Sequence, residues 1–369
     1  MLMTRILTVP VICALLFSCK KPATDDTNSR VVLTQAAPPG GTLYFPVAGT
    51  WETIAPSSLG WDTTALNALA PWLQSKNTKA FVILRNGRIA YEQYFGTFTA
   101  DSAWYWASGG KTAAALLTGI AVKEGLVNIN NRVSQYIGAG WTSAPLAKEN
   151  AITVRHLLTM TSGLDDAVAD DDCTTPACLQ YKADAGTRWA YHNGAHTKLH
   201  NVLESATGQS FNAYWTAKVK NRTGITGAWV QNGYNEVYYS TARSAARFGI
   251  LLQNKGSWAG DALVDSSWWA AQVNTSQNLN LSYGYLTWLN GKASFMVPGS
   301  QLVGNGFLIA NAPPDMFAAL GKNDQKIYVS PAQGLVVIRL GNTAGTPALA
   351  PSGFDNEVWT RLRTIIHSW

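Results

Sequence analysis

Strand-like segments lie at both ends of the folded part of this chain, and a long helical section separates them. The predicted strands cover residues 80–84, 89–95, 316–320, 326–330 and 335–340. Asn86-Gly87 lies between the first two and is a strong signal for a β-hairpin. Because strands need partners for their backbone groups, we expect both ends of the chain to join one sheet.

Helical patterns dominate the section between those strands. The predicted helices cover residues 63–74, 111–124, 154–160, 196–206, 241–254 and 355–367, with Asp62 as the cap of the first. The pattern therefore predicts an α/β fold with a large helical insertion, contained within residues 46–369. We assign residues 46–100 and 305–369 to the α/β part and residues 101–304 to the helical part.

The N-terminus has the features of an export signal. Arg5 precedes an apolar stretch at residues 6–17 that is too short for a membrane span. Ser18-Cys19 ends this stretch and is similar to a bacterial lipobox, which predicts cleavage after residue 18 and lipidation of Cys19. Ordinary secretion is the alternative interpretation.

Residues 19–45 are polar and contain a Pro-Pro-Gly-Gly turn, so they predict a flexible tether behind a lipid anchor. The expected location is the bacterial cell envelope, on the periplasmic side or the outer surface. The net charge of +6 is spread along the chain, with no basic run longer than two residues. This distribution argues against nucleic acid as a partner.

Two cysteines remain outside the leader, and export favours a disulfide between Cys173 and Cys178. His192 and His196 follow at a spacing that also fits a zinc site, which is the weaker interpretation. The acidic run at residues 170–172 is interpreted as a solvated loop, with calcium binding as its alternative. We therefore predict no metal site.

Ser108 precedes a segment rich in Ala and Leu, and Lys111 follows it three residues later. If Ser108 begins this helix, Lys111 lies on the same face one turn on. A serine hydroxyl needs a base to become a nucleophile, and a buried lysine with a lowered pKa can accept its proton. Spacing alone is also consistent with a helix cap and a surface lysine.

Tyr191 and Asn193 are separated by one residue, so an extended backbone would place both side chains on one face. A phenol near Lys111 would share in proton transfer, and the Asn193 amide would hold a substrate carbonyl together with Lys111. His192 lies between them, and we assign it to the substrate-binding set.

Gly321 ends a predicted strand, where a residue without a side chain permits close approach of substrate to the backbone. The N–H of the next residue, Lys322, can then pair with the N–H of Ser108 as an oxyanion hole. Both residues are assigned to substrate binding.

These three motifs occur in the order found in the penicillin-recognising serine hydrolases, and the chain resembles that superfamily over residues 50–369. The branch it resembles contains class C β-lactamases, DD-peptidases, esterases and 6-aminohexanoate-dimer hydrolases. The resemblance implies an antiparallel sheet flanked by helices, with the active site between the sheet and the helical insertion. It also implies acyl transfer through Ser108, with Lys111 and Tyr191 as proton acceptors and no cofactor.

The third motif departs from the family pattern, because Ala319 occupies the position of the family's Lys or His. That cation meets the substrate carboxylate in β-lactam-processing relatives. The leading hypothesis is therefore an esterase or amidase acting on small esters or amides. The alternatives are a β-lactamase or DD-peptidase acting on peptidoglycan-like substrates, with Lys322 supplying the charge, and a non-catalytic lipoprotein that binds penicillin or wall fragments.

The loss of this cation predicts weak or absent turnover of β-lactams. Nitrocefin hydrolysis by the purified protein should be far slower than hydrolysis by a dedicated β-lactamase assayed at the same concentration. Turnover equal to that of the dedicated enzyme would contradict the expectation drawn from Ala319.

Overall fold

Strands from both ends of the chain join one antiparallel sheet, as the sequence predicted, and a sixth strand from the section assigned as helical completes it. The structure is a computed structural model that describes residues 41–47, 49–346 and 350–369. The signal peptide, Cys19 and most of the tether lie outside the described residues, so those interpretations remain predictions.

The strands are β1 Thr78–Arg85, β2 Arg88–Tyr94, β3 Ala103–Tyr105, β4 Ala228–Asn232, β5 Asn235–Thr241, β6 Ser257–Trp258, β7 Asp261–Ala262, β8 Trp288–Leu289, β9 Ser294–Phe295, β10 Gly304–Asn305, β11 Phe317–Gly321, β12 Gln325–Ser330 and β13 Leu335–Gly341.

The order of strands in the large sheet is β2-β1-β13-β12-β11-β8. The first and last strands of the polypeptide, β1 and β13, are neighbours inside this sheet, where Val82 pairs with Ile338. β13 is buried along its whole length, which explains its nearly continuous apolar sequence. Asn86 and Gly87 both have positive φ, at 44° and 80°, and close the predicted hairpin between β1 and β2.

The predicted helices are all present, with bounds that differ by a few residues. The helices are α1 Thr63–Asn67, α2 Leu69–Ser75, α3 Gly110–Lys123, α4 Ser134–Ile137, α5 Leu146–Glu149, α6 Val154–Leu158, α7 Asn193–Thr207, α8 Phe211–Trp215, α9 Asn221–Thr223, α10 Ala242–Gln253, α11 Ser266–Gln272 and α12 Gly353–Ile366. The first predicted helix is divided in two at Ala68. Pro71 explains the break, because it has no N–H to continue the hydrogen bonding of the preceding turn.

Helices cover both faces of the large sheet. On one face, α10 packs so closely that a Cβ on Gly249 would lie 2.3 Å from the side chain of Val336. On the other face, Trp359 of α12 packs edge-on against Tyr328 of β12 at 5.4 Å. The sheet is therefore a buried central layer, which matches the predicted α/β class. Among the described residues, no helix is both long and apolar enough to cross a bilayer.

The helical section contains a second, three-stranded antiparallel sheet in the order β3-β5-β4. The backbone N–H of Trp106, just after β3, donates to the Tyr238 carbonyl of β5 at 2.8 Å. The Trp106 indole N–H donates to Ser240 Oγ at 2.8 Å. These bonds hold the segment before α3 against the hairpin of β4 and β5.

A buried ionic cluster connects β12 to α12. Lys326 has no exposed surface, and its Nζ lies 2.9 Å from Asp355 Oδ2 and 3.3 Å from Asp324 Oδ1. Tyr328 donates a hydrogen bond to the second oxygen of Asp355. Because charges removed from water must be paired, each member of this cluster depends on the others.

We expect Lys326→Met to lower the free energy of unfolding by about 3–5 kcal/mol, since it leaves two buried carboxylates without their cation. Urea denaturation measures this change. Lys182→Met is the matched control, because Lys182 is half exposed and forms a 3.3 Å surface ion pair with Asp165. The control substitution should lower the free energy of unfolding by less than about 1 kcal/mol. Equal losses in the two variants would contradict a structural role for the buried cluster.

Candidate active site

Ser108 lies in a short 3-10 turn, Ala107–Gly109, immediately before α3. Ala107 adopts a left-handed backbone conformation with φ of 47°, which costs an alanine about 1–2 kcal/mol. The bonds that anchor the neighbouring Trp106 to β5 hold this turn in place. A strained residue maintained directly beside a hydroxyl is a feature of functional sites.

Lys111 lies one turn after Ser108, in the first turn of α3, as the spacing predicted. Its Nζ contacts Ser108 Oγ at 3.1 Å and Asn193 Oδ1 at 2.8 Å. Only 7% of the residue is exposed. Burial lowers the pKa of Lys111 to about 8, although the negative charges of Asp172 and Asp171 oppose this shift.

Tyr191 and Asn193 lie on the same side of an extended segment, since the intervening residue has φ of −114° and ψ of 111°. The centroid of the Tyr191 ring is 5.1 Å from Lys111 Nζ. The ring also stacks on Trp288 at 5.9 Å. Burial raises the pKa of Tyr191, while a hydrogen bond with Ser108 opposes the shift. Tyr191 is therefore a neutral phenol in contact with the Ser108 hydroxyl.

The assignment of His192 to substrate binding is wrong. Its side chain is 1% exposed and is not part of the cavity that Tyr191 and Asn193 line. Its Nδ1 instead accepts the N–H of Ala195 at 3.4 Å, capping the start of α7. The same alternation that brings its two neighbours together turns His192 to the opposite side.

The predicted disulfide between Cys173 and Cys178 is present, with Cα atoms 5.8 Å apart. Both sulfurs are bonded to each other, so neither serves the alternative zinc pattern. The loop packs on the start of α7, where the Gly194 N–H donates to the Asp171 carbonyl at 2.7 Å. A Cβ on Gly194 would lie 2.2 Å from the Cys173 carbonyl, so this contact requires glycine. The segment that leads into the disulfide, which carries Asp171, therefore lies beside Asn193.

Gly321 does not line the cavity, which corrects the expectation that it admits substrate. A Cβ at this position would lie 2.3 Å from the Trp106 carbonyl oxygen. Glycine is needed here because β11 packs directly against the turn that carries Ser108. The exposed Lys322 follows it and does line the cavity. Ala319 is 1% exposed and buried within β11.

A cavity of about 330 Å³ opens over Ser108, Lys111, Tyr191 and Asn193. This size is typical of a site for a small molecule. Nine further residues of its lining carry polar or aromatic side chains, namely Asp166, Asp171, Asp172, His196, Thr197, Trp229, Asn235, Glu236 and Lys322.

Several of these cavity residues were not anticipated from the sequence. Asp171 and Asp172 were interpreted as part of a solvated loop, yet Asp171 Oδ2 accepts the Asn193 amide at 3.2 Å. His196 had been considered only as a zinc ligand. Its position three residues after Asn193 in α7 was the available signal, since residues at that spacing share a helix face.

Comparisons with known proteins agree with the fold. The sequence model of the family described as "Beta-lactamase" matches residues 77–358. A search of curated proteins finds no match.

Among solved structures, a protein from Bacteroides dorei, provisionally named a β-lactamase, has a TM-score of 0.64 at 17% identity, covering 84% of this chain and 100% of that one. A protein from Bacillus anthracis, provisionally named a 6-aminohexanoate-dimer hydrolase, has a TM-score of 0.60 at 19% identity, covering 80% of each chain. A penicillin-binding protein homologue from Caulobacter crescentus has a TM-score of 0.61 at 13% identity, covering 82% of this chain and 96% of that one.

At these identities the structures establish similarity of fold, and the extended match to the family model establishes membership. The predicted superfamily and fold class are therefore confirmed. This chain belongs to the β-lactamase family of serine hydrolases.

Proposed function

We propose that this chain is an esterase or amidase that hydrolyses small esters or amides through an acyl-enzyme on Ser108. One observation carries the proposal: the Lys111 amine is buried between the Ser108 hydroxyl and the Asn193 amide, within hydrogen-bonding distance of both. The contact supplies a nucleophile together with a base, as acyl transfer requires.

The reaction proceeds in two halves. In the first, Ser108 Oγ bonds to the substrate carbonyl carbon while its proton passes to the neutral amine of Lys111. The N–H groups of Ser108 and Lys322 hold the resulting oxyanion. The bond to the leaving group then breaks, and the leaving group takes the proton. In the second half, water attacks the acyl-enzyme, releases the carboxylic acid and restores the serine.

Lys111 is the principal proton acceptor in this proposal. Burial lowers its pKa to about 8, so a useful fraction of the amine is neutral near pH 7.5. Burial raises the pKa of Tyr191, which disfavours a phenolate. The phenol therefore acts as a hydrogen-bonding partner that passes a proton onward, and Asn193 orients the amine.

The substrate preference follows from Ala319. A small apolar side chain there cannot meet a substrate carboxylate, so substrates without that group are favoured. Lys322 is the observation that supports a second candidate, a β-lactamase or DD-peptidase, because its side chain is exposed at the cavity. Lys322 follows β11, so its flexible side chain is held less firmly than a cation within the strand would be.

A fluorophosphonate probe should label the wild-type protein and leave Ser108→Ala unlabelled. Hydrolysis of p-nitrophenyl butyrate should fall by at least about 10³-fold in that variant, since the nucleophile is lost. Ser75→Ala is the matched control, because Ser75 is exposed on α2. Labelling of Ser108→Ala at the wild-type rate would exclude the proposed nucleophile. Absence of labelling in both the wild-type protein and Ser108→Ala would favour the non-catalytic alternative.

An acyl-D-Ala-D-Ala peptide hydrolysed faster than the ester would favour the second candidate.

The pH profile provides a separate test of the base. We expect kcat/KM for p-nitrophenyl butyrate to rise as the pH approaches about 8 and then to level off, because the reacting amine must be deprotonated. Asp172→Asn should move the midpoint to lower pH, since the Asp172 charge raises the pKa of Lys111. Stopped-flow or plate-reader rates between about pH 6 and 9 measure both effects. A flat profile, or a midpoint that moves upward, would contradict Lys111 as the base.

A further inference from the structure

Carboxylates dominate the cavity wall next to Asn193. The side-chain oxygens of Asp170, Asp171 and Asp172 all lie within 4.8 Å of one another. Asp171 and Asp172 line the cavity, whereas the exposed Asp170 does not. Like charges at this separation repel one another, so the arrangement favours a positive charge beside it.

Most of the other charged groups at the cavity already have partners. Asp166 is paired with Arg188 at 2.6 Å, and Glu236 contacts His200 Nδ1 at 2.9 Å. Asp171 accepts the Asn193 amide. In the part of the chain that the structure describes, the Asp172 carboxylate has no hydrogen bond or ion pair, and its nearby cation is the buried Lys111.

Two buried ring side chains with an unpartnered nitrogen also belong to the cavity lining. His196 is 6% exposed and Trp229 is 7% exposed, and both line the cavity. Neither His196 Nε2 nor Trp229 Nε1 has a hydrogen-bond partner among the described residues. Buried polar atoms are rarely left unsatisfied in proteins. The pKa of His196 is held well below its usual value by burial, by Lys111 and by His200, so the ring adds no positive charge here.

We propose that the substrate of this hydrolase carries a protonated or quaternary amine, which lies against the carboxylates of Asp171 and Asp172. The inference rests on the proposed function and deepens it by naming the charge of the substrate. Carboxylates and an aromatic ring such as Trp229 in one cavity are the chemistry that recognises an ammonium group.

The contacts also limit the distance between the ammonium group and the scissile bond. Ser108 Oγ, Lys111 Nζ, the Asn193 amide and Asp171 Oδ2 form a chain with contacts of 3.1, 2.8 and 3.2 Å. Since an amide spans only about 2 Å, the Asp171 carboxylate lies within about 12 Å of the hydroxyl. A short alkyl spacer therefore joins the reacting carbonyl to the amine.

The charge of the cavity is opposite to that needed for β-lactam processing. A strand cation that would meet a carboxylate is replaced by Ala319, and the carboxylates of Asp171 and Asp172 line the cavity just before the disulfide. The remaining cavity cations are Lys111, which is buried at the nucleophile, and Lys322, which is exposed after β11. An anionic substrate would meet repulsion on the Asn193 side, and a cationic one would be attracted.

Matched esters test this inference. Three p-nitrophenyl esters of equal spacer length would end in trimethylammonium, in its neutral isostere tert-butyl, or in carboxylate. A second pair would place the charge in the alcohol, as choline butyrate and 3,3-dimethylbutyl butyrate. In at least one series we expect kcat/KM for the cationic ester to exceed that of the neutral isostere by about tenfold or more, with the anionic ester slowest. The preference should shrink as ionic strength rises.

Asp172→Asn should reduce the ratio of cationic to neutral ester to nearly one. The ratio cancels any change in the base, since both esters use the same Lys111. Asp170→Asn is the matched control, because it makes the same charge change in the same loop outside the cavity, and its Oδ1 can still accept the Asp172 N–H. The control should keep the wild-type ratio.

Equal rates for cationic and neutral esters in both series would overturn the inference, and so would equal effects of the two aspartate variants. Calorimetric binding of Ca²⁺ at micromolar concentration, lost in Asp172→Asn, would overturn it by identifying the carboxylates as a metal site. Failure of the proposed function is distinguishable, because it would abolish hydrolysis of every ester and fluorophosphonate labelling of Ser108 together.

Discussion

The chemistry of this site depends on the removal of one amine from water. In solvent Lys111 would be protonated and unable to accept a proton, whereas its burial against Ser108 and Asn193 lowers its pKa to about 8. Burial carries a desolvation cost that the surrounding fold must offset. The small residues of α3 allow close packing around the amine, and the Asn193 oxygen and the nearby aspartates supply favourable electrostatic contacts.

Three elements that are distant in sequence hold this amine in position. β11 packs against the Ser108 turn so closely that position 321 requires glycine. The segment around Cys173 packs against the start of α7 so closely that position 194 also requires glycine. Trp106 connects the nucleophile turn to β5 through two hydrogen bonds. Contacts this close transmit displacement, so the geometry of the site depends on packing around it as much as on the reacting groups.

The charges that line the cavity bear directly on the substrate that this chain accepts. A resemblance in sequence leads to an acyl-transfer mechanism, but the charges that face the cavity decide which substrates approach it. Ala319 is uncharged, and Asp171 and Asp172 add negative charge from the segment that leads into the disulfide. The proposed preference for a cationic substrate rests on these charges and leaves the catalytic groups unchanged. The relatives named for β-lactams and for an aminohexanoate dimer illustrate how varied the substrates assigned to this fold are.

Local patterns in the sequence determined five strands of the large sheet, the main helices, the hairpin turn at Asn86-Gly87 and the one-turn spacing of Ser108 and Lys111. Each depends on residues close together in the chain, and periodicity and turn chemistry report such relations directly. The shared side of Tyr191 and Asn193 was also predicted from the sequence. The same alternation places the His192 side chain on the opposite side. The roles of Asp171, Asp172, Gly321 and His196 were decided only by tertiary structure. Their surroundings come from segments distant in the chain, and no local pattern records which distant surface a side chain will meet.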